Sequence, residues 1–172
     1  MDTQSLVDQA KRGDGNAFWE LIEGKKASLY RMAFWYSKNE TDAMDIVSEA
    51  VYKAYVSLPQ LKNHEFFYTW LTRILIHCAY DFIKINKTVP HLASKMMNEM
   101  KSTPEDSRSE AILDLYNAID TLDEQHRSVV ILKYLEDMTV AQVAEVLKMP
   151  AGTVKTYLHR ALLHLRIKLE EV

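Results

Sequence analysis

Only four glycines, four prolines and one cysteine stand among the 172 residues. Average usage is about 7% for glycine and 5% for proline, so turn-formers are scarce. That scarcity argues against a many-stranded sandwich and for helices. The single Cys78 rules out an internal disulfide and suits a reducing compartment. No apolar run approaches the roughly 18–20 residues of a membrane helix. The opening MDTQSLVDQAKRGD lacks the basic-then-apolar order of a signal peptide. A cytoplasmic chain with no direct membrane insertion is therefore expected. Base is not in excess either: 21 Lys and Arg against 24 Asp and Glu leave a net charge of −3. Any nucleic-acid site must then come from local segregation of charge rather than from overall basicity.

What is present is the composition of a globular protein, 48% hydrophobic and 26% charged, with helical periodicity almost throughout. From residue 16 to about 85, apolar residues recur at steps of three and four. Leu29, Met32, Ala33 and Tyr36 form one stripe; Ile46, Ala50, Val51 and Ala54 form a second, broken at Leu58-Pro59. A further helix is expected from Tyr68 to about Ile85, with Leu71, Ile74, Leu75, Cys78 and Phe82 on its apolar side. Residues 86–110 hold Pro90, Pro104 and many polar side chains and read as a linker. The organisation expected is all-α: a helical domain over residues 1–85, the linker 86–110, and a second helical domain over 111–172.

Charge segregates most clearly near the C-terminus. Asp123 is placed to cap a helix over residues 124–135, and Thr139 to cap a short one over residues 140–147. Lys148-Met149-Pro150-Ala151-Gly152 is a tight break, and Thr153 opens the last helix. Val154, Leu158, Ala161, Leu162, Leu165 and Leu169 form one stripe of that helix. Thr153, Thr156, His159 and Arg160 project away from it, with Lys155 on the flank. Residues 148–168 carry five Lys or Arg and no Asp or Glu. A short helix, a tight turn and a basic second helix suit docking in a DNA major groove. By charge alone an ordinary amphipathic helix with a solvated basic face explains the pattern equally well.

The motif Gly152-Thr153-Val154-Lys155, followed by Leu158-His159-Arg160-Ala161 and Leu165-Arg166, carries a more specific resemblance. Residues 122–169 resemble the DNA-binding fourth region of extracytoplasmic-function sigma factors of the sigma-70 family. The resemblance implies a sigma-4 helix-turn-helix domain that reads the minus-thirty-five element through Thr153, Lys155, Thr156, His159 and Arg160. This chain departs from the family at Asp123, Gln142, Lys148 and Thr156-Tyr157, where Pro, Glu, Gly and Ser-Arg are usual.

In the N-terminal half, Asp42, Asp45 and Glu49 share a helix face in a stretch, residues 40–52, without a basic residue. Three readings stand beside one another: a carboxylate or metal site, acids favoured by a helix N-terminus, or a docking face for a basic partner. No His-bearing ligand motif or Gly-rich phosphate loop supports the first. The run Asp42-Ala43-Met44-Asp45-Ile46-Val47-Ser48-Glu49-Ala50-Val51 resembles the family's second region. The resemblance implies a sigma-2 helical bundle in which Asp42, Asp45, Ser48 and Glu49 contact the clamp of core RNA polymerase, Ser48 standing where Gln is usual.

Downstream, Phe66-Phe67-Tyr68-Thr69-Trp70-Leu71-Thr72-Arg73-Ile74 interleaves aromatics with base, a composition that suits single-stranded DNA. Phe67 and Trp70 are expected in the core; Phe66, Tyr68 and the polar loop Lys62-Asn63-His64-Glu65 are better placed to meet DNA. The resemblance implies minus-ten recognition and strand melting through Lys62, Asn63, His64, Phe66, Tyr68, Arg73, His77 and Lys84.

Taken over residues 16–85 and 111–172, the resemblance implies a non-catalytic initiation subunit. It would bind core RNA polymerase and promoter DNA, act in an envelope stress response, and be restrained by a membrane-anchored anti-sigma factor. No catalytic residue, metal or cofactor is expected. The alternative is a stand-alone, dimeric helix-turn-helix regulator, which leaves the acidic helix and the aromatic cluster without a use.

Overall fold

The computed structural model describes residues 2–88 and 107–171, and among them the chain is helical with no strand. It divides into two compact units, Met1–Ile85 and Asn86–Val172. Residues 89–106, most of the expected linker, lie outside the described residues. Ser107 and the residues that follow already belong to a helix.

The first unit is built from α1 (Thr3–Lys11), α2 (Gly15–Glu23), α3 (Lys26–Ser37), α4 (Glu40–Ser57) and α5 (Phe67–Thr88). Short polar residues start most of them. Asp2 accepts from the Gln4 N–H at 2.8 Å, Asp14 from Asn16 and Ala17, and Asn39 from Asp42, so each satisfies amides that have no partner within their helix. Gly13, at φ 98°, makes the turn between α1 and α2, a conformation that costs glycine little. The apolar stripes expected on α3 and α4 are buried at Leu29, Met32, Ala33 and Tyr36 and at Ile46, Ala50 and Ala54. α1 lies ahead of the periodicity read from the sequence and buries Leu6, Val7 and Ala10 against the same body. Two 3₁₀ turns, Leu58–Gln60 and His64–Phe66, carry the chain from α4 into α5. Phe67 opens α5 as a fully buried core residue, while Trp70 is half-buried against it, ring centroids 5.9 Å apart.

The second unit comprises α6 (Ser107–Asp120), α7 (Glu124–Val130), α8 (Val140–Leu147) and α9 (Ala151–Glu170). Asp123 caps α7 through the Gln125 and His126 amides. Thr139 caps α8 in a reciprocal capping box with Gln142, the residue that replaces the usual Glu. The helix expected over residues 124–135 changes character at Ile131, where a π-helical turn, Ile131–Leu135, directs Ile131 and Leu132 into the core. The break before α9 is shorter than expected. Lys148 turns left-handed at φ 53°, and the Pro150 carbonyl already accepts from the Thr153 and Val154 amides. Val154, Leu158, Ala161 and Leu165 of α9 are buried, whereas Leu162 and Leu169 stay 43% and 40% exposed. The apolar stripe is therefore narrower than its sequence period.

One buried cation organises the turn from α6 to α7. Arg127 donates through Nη2 to the carbonyls of Asp120 at 2.8 Å and Leu122 at 3.2 Å, and its Nη1 lies 3.6 Å from the Asp120 carboxylate. Replacing Arg127 with Met keeps the apolar stem but leaves two carbonyls short of a donor, an expected cost of about 1–3 kcal/mol. Urea unfolding followed by far-UV circular dichroism should show that loss. Fluorescence of Trp19, Trp35 and Trp70, all in the first unit, should not move.

Candidate nucleic-acid interface

α9 separates its faces cleanly. Lys155, Thr156, His159 and Arg160 are exposed, Thr153 is half-buried, and Val154 and Leu158 fix the opposite side in the core. The Thr156 hydroxyl donates back to the Gly152 carbonyl at 3.0 Å, which leaves its lone pairs and methyl outward. Tyr157, on the flank, stacks on His126 with centroids 4.7 Å apart. His126 in turn holds Asp123 through Nδ1 at 2.7 Å. α9 is thus tied at Tyr157, through His126, to the cap of α7. His164 is engaged with the Thr121 hydroxyl at 2.7 Å, away from that face.

The carboxylates of α4 form the complementary surface. Asp45, Ser48 and Glu49 are exposed and Asp42 is half-buried at the first turn. Burial first, then the neighbouring Asp45 charge, raises the Asp42 carboxyl above its ordinary value. Ser48 donates to the Met44 carbonyl at 2.8 Å. Glu49 is paired with Lys53 at 3.3 Å, and Lys53 also approaches Asp81 of α5 at 3.9 Å. These residues border a groove of about 600 Å³ between α4 and α5 whose floor includes Ile46, Cys78 and Phe82. Burial raises the Cys78 thiol, as suits a core residue. The sequence reading missed the apolar half of this face: Met44, Tyr52 and Val56 are 61%, 65% and 59% exposed. Their signal was available, because none of them falls on the buried stripe of Ala43, Ile46, Ala50 and Ala54.

The expected strand-binding residues do not all share one status. Lys62, Asn63 and Phe66 are exposed on the connection between α4 and α5, and Asn63 caps the second 3₁₀ turn by accepting from the Glu65 amide. His64 is half-buried with both ring nitrogens engaged, by Asp8 and by Lys11. Tyr68 is half-buried too. Its hydroxyl donates to the Leu21 carbonyl at 3.4 Å, and the Lys25 ammonium sits 5.2 Å from its ring centre. Arg73 is half-buried on α5, and His77 and Lys84 are exposed further along it, Lys84 beside the α4–α5 groove. Among the described residues no group of three or more His, Cys, Asp or Glu is placed to hold a metal, and no helix is long and apolar enough to cross a membrane.

The Sigma-70 region 2 family model matches residues 21–89, and the Sigma-70, region 4 model matches residues 112–165. RNA polymerase sigma factor SigV of Bacillus subtilis is 34% identical over 148 residues, 86% of this chain and 88% of that protein. ECF RNA polymerase sigma factor SigW of the same bacterium is 30% identical across 100% of this chain and 99% of its own. The chain belongs to the extracytoplasmic-function RNA polymerase sigma factors. Two solved structures share the fold at 21% identity. CnrH, in complex with the cytosolic domain of CnrY, aligns with a TM-score of 0.77 over 98% of this chain and 97% of that one. Sigma factor RpoE of Bartonella quintana, in complex with the anti-sigma factor NepR, aligns with 0.69 over 89% and 96%.

In this sigma factor α8 and α9 are the two helices of the region 4 helix-turn-helix, and α4 and α5 fall within region 2. Asp123, standing where relatives usually carry Pro, gives the region 4 unit a titratable cap. Burial pushes its carboxyl up. Hydrogen bonds from the amide and ring of His126, the charge of that ring, and the Gln125 amide outweigh burial and hold it below its ordinary value of 3.8. A carboxyl depressed on folding adds stability above its unfolded value and loses it as pH falls through the folded one. Asp123→Asn, an equally good cap, should therefore unfold more readily than the parent at pH 7. The two should converge as pH drops below about 4, as read by thermal melts across a pH series.

Proposed function

We propose that this sigma factor uses its two charged faces for two different ligands. Asp42, Asp45, Ser48 and Glu49 of α4, with the exposed Met44, Tyr52 and Val56 beside them, form the face that binds core RNA polymerase. Lys62, Asn63, Phe66, Tyr68, Arg73, His77 and Lys84 form the surface that captures the melted minus-ten strand, and His64, expected among them, is engaged within the protein by Asp8 and Lys11. Thr153, Lys155, Thr156, His159 and Arg160 enter the major groove at the minus-thirty-five element. The observation that carries this reading is the division of charge. Acids and exposed aromatics meet on α4, where a protein partner would bury them, and from residue 148 to 168 bases with no acid among them line the start and middle of α9, where phosphates would attract them.

The state of Asp42 supports the polymerase assignment. Its charge is disfavoured by burial and by Asp45, and a basic partner placed against this acidic face would relieve that cost. On α9, Lys155 and Thr156 lie in the first two turns, where the recognition helix of this motif reaches base edges. Arg160, one turn later, is placed for phosphate. Each site alone is small, so specificity arises from joining two weak contacts on one polymerase, which raises the effective concentration of the second once the first has formed.

The protein acts in the cytoplasm as a non-catalytic initiation subunit, and envelope stress is the signal class proposed for it. A membrane-anchored anti-sigma factor is the proposed restraint.

Run-off transcription with purified bacterial core polymerase on a randomised promoter library tests the proposal. Transcripts that require this protein and share two spaced elements are expected. Polymerase-independent binding of a palindrome, with no transcripts, would replace the reading by that of a dimeric regulator. In the same assay Lys155→Ala should relax base preference at one minus-thirty-five position by about 1–3 kcal/mol. Arg160→Ala should weaken all promoters alike and lower the salt slope by about one.

A further inference from the structure

α1 lies ahead of the residues that the region 2 family model matches, which begin at residue 21. Its apolar side, Leu6, Val7 and Ala10, is buried, as any helix of this unit requires. Its polar side does something less expected, because it reaches the connection between α4 and α5. Asp8 lies 2.8 Å from Nδ1 of His64, and the Lys11 ammonium lies 3.2 Å from Nε2 of the same ring. Lys11 also donates to the Leu61 carbonyl at 2.7 Å. Two side chains of one helix thus hold Leu61 and His64, which flank the exposed Lys62 and Asn63 and precede Phe66.

The chemistry of the pair of contacts on His64 is directional. An ammonium can only donate, so Nε2 accepts from Lys11, and Nδ1 carries the proton that is donated to Asp8. Both nitrogens are then used within the protein, and the ring has no polar edge left for a base. His64 acts as a strut between α1 and the loop rather than as a reader of sequence.

We propose that α1 is a positioning element for minus-ten recognition, in which Asp8 and Lys11 lock His64 and the Leu61 carbonyl so that Lys62, Asn63 and Phe66 meet the strand in one conformation. This rests on the reading of that loop as the minus-ten surface. A loop ordered before binding loses less freedom on capturing a strand. The cost of freeing it therefore falls on promoter opening and on minus-ten discrimination. Assembly with the polymerase is untouched.

The test uses the full chain assembled with core polymerase, comparing Asp8→Asn, Lys11→Met and Lys11→Arg with the parent. Three quantities are read: affinity for core polymerase, the rate of open-complex formation from a fluorescent base analogue in the minus-ten element, and base preference across a minus-ten library. Asp8→Asn and Lys11→Met should each slow opening about tenfold, equivalent to about 1.4 kcal/mol, the scale of one charge-assisted hydrogen bond. They should also flatten minus-ten preference while core affinity and minus-thirty-five preference stay unchanged. Lys11→Arg, which keeps the donor and charge, should restore both. A role in stability alone would lower activity on every promoter without changing preference, and tryptophan-monitored melts record that stability directly. If Asp8→Asn melts several degrees lower, Lys11→Met decides alone. Lys62→Ala and Phe66→Ala separate the two ideas. Altered minus-ten preference in these loop variants, with parental opening and preference in Asp8→Asn and Lys11→Met, overturns the brace only. Unaltered preference in the loop variants overturns the minus-ten reading and the brace with it.

Discussion

A chain of net charge −3 can meet a polyanion only where its bases are gathered on one face and its carboxylates are held elsewhere. Coulombic attraction to phosphate is strong and salt-dependent, and an acid among the contacting bases would cancel much of it. Every arrangement in the second unit serves that separation. Val154, Leu158, Ala161 and Leu165 anchor α9 from one side, so Lys155, His159 and Arg160 can only face outward. The capping box of α8 and the left-handed Lys148 set where α9 begins. In the first unit Asp42, Asp45 and Glu49 gather on α4, a helix of the other unit. Beside them stand the exposed Met44, Tyr52 and Val56, the apolar company that suits the proposed polymerase contact.

Both units bury apolar stripes in a core, and local devices set where the helices around it begin. Asp2, Asp14, Asn39, Asp123 and Thr139 each satisfy helix-terminal amides with a short side chain, at a typical gain of about 1 kcal/mol per cap. Such caps fix where helices start, and with few glycines and prolines they do most of the punctuation. Arg127 is the exception: a long cation buried to serve two carbonyls at the α6–α7 turn. Its Nε finds no partner, so the turn is held at some cost in desolvation.

The all-α architecture and the region 4 motif were legible because their signals are local. The faces of α9, the caps at Asp123 and Thr139, and the core positions of α3 each follow from residues three or four apart. The π-helical turn at Ile131 and the shortened break before α9 were not legible, since both are set by how side chains settle against neighbouring helices. The surface proposed to bind the minus-ten strand was the least legible part. Composition placed Phe66, Tyr68 and the loop before them near DNA. Composition cannot show that His64 is held by Asp8, 56 positions earlier, and by Lys11, 53 positions earlier. α1 itself was passed over because the apolar count began at residue 16, although Asp2 and the spacing of Leu6, Val7 and Ala10 carried its signature. The exposed half of α4 carried a local signal as well, since Met44, Tyr52 and Val56 all fall off its buried stripe.

The central claim is that polymerase and promoter are met by separate faces of opposite charge. Equilibrium titration of fluorescently labelled protein with core RNA polymerase, in the absence of DNA, tests it directly. The account predicts that the double substitution Asp45→Ala and Glu49→Ala sharply weakens binding to core polymerase, while Lys155→Ala with Arg160→Ala leaves it at the parental value. Equal losses from both pairs, or parental affinity in the α4 variant, would contradict it.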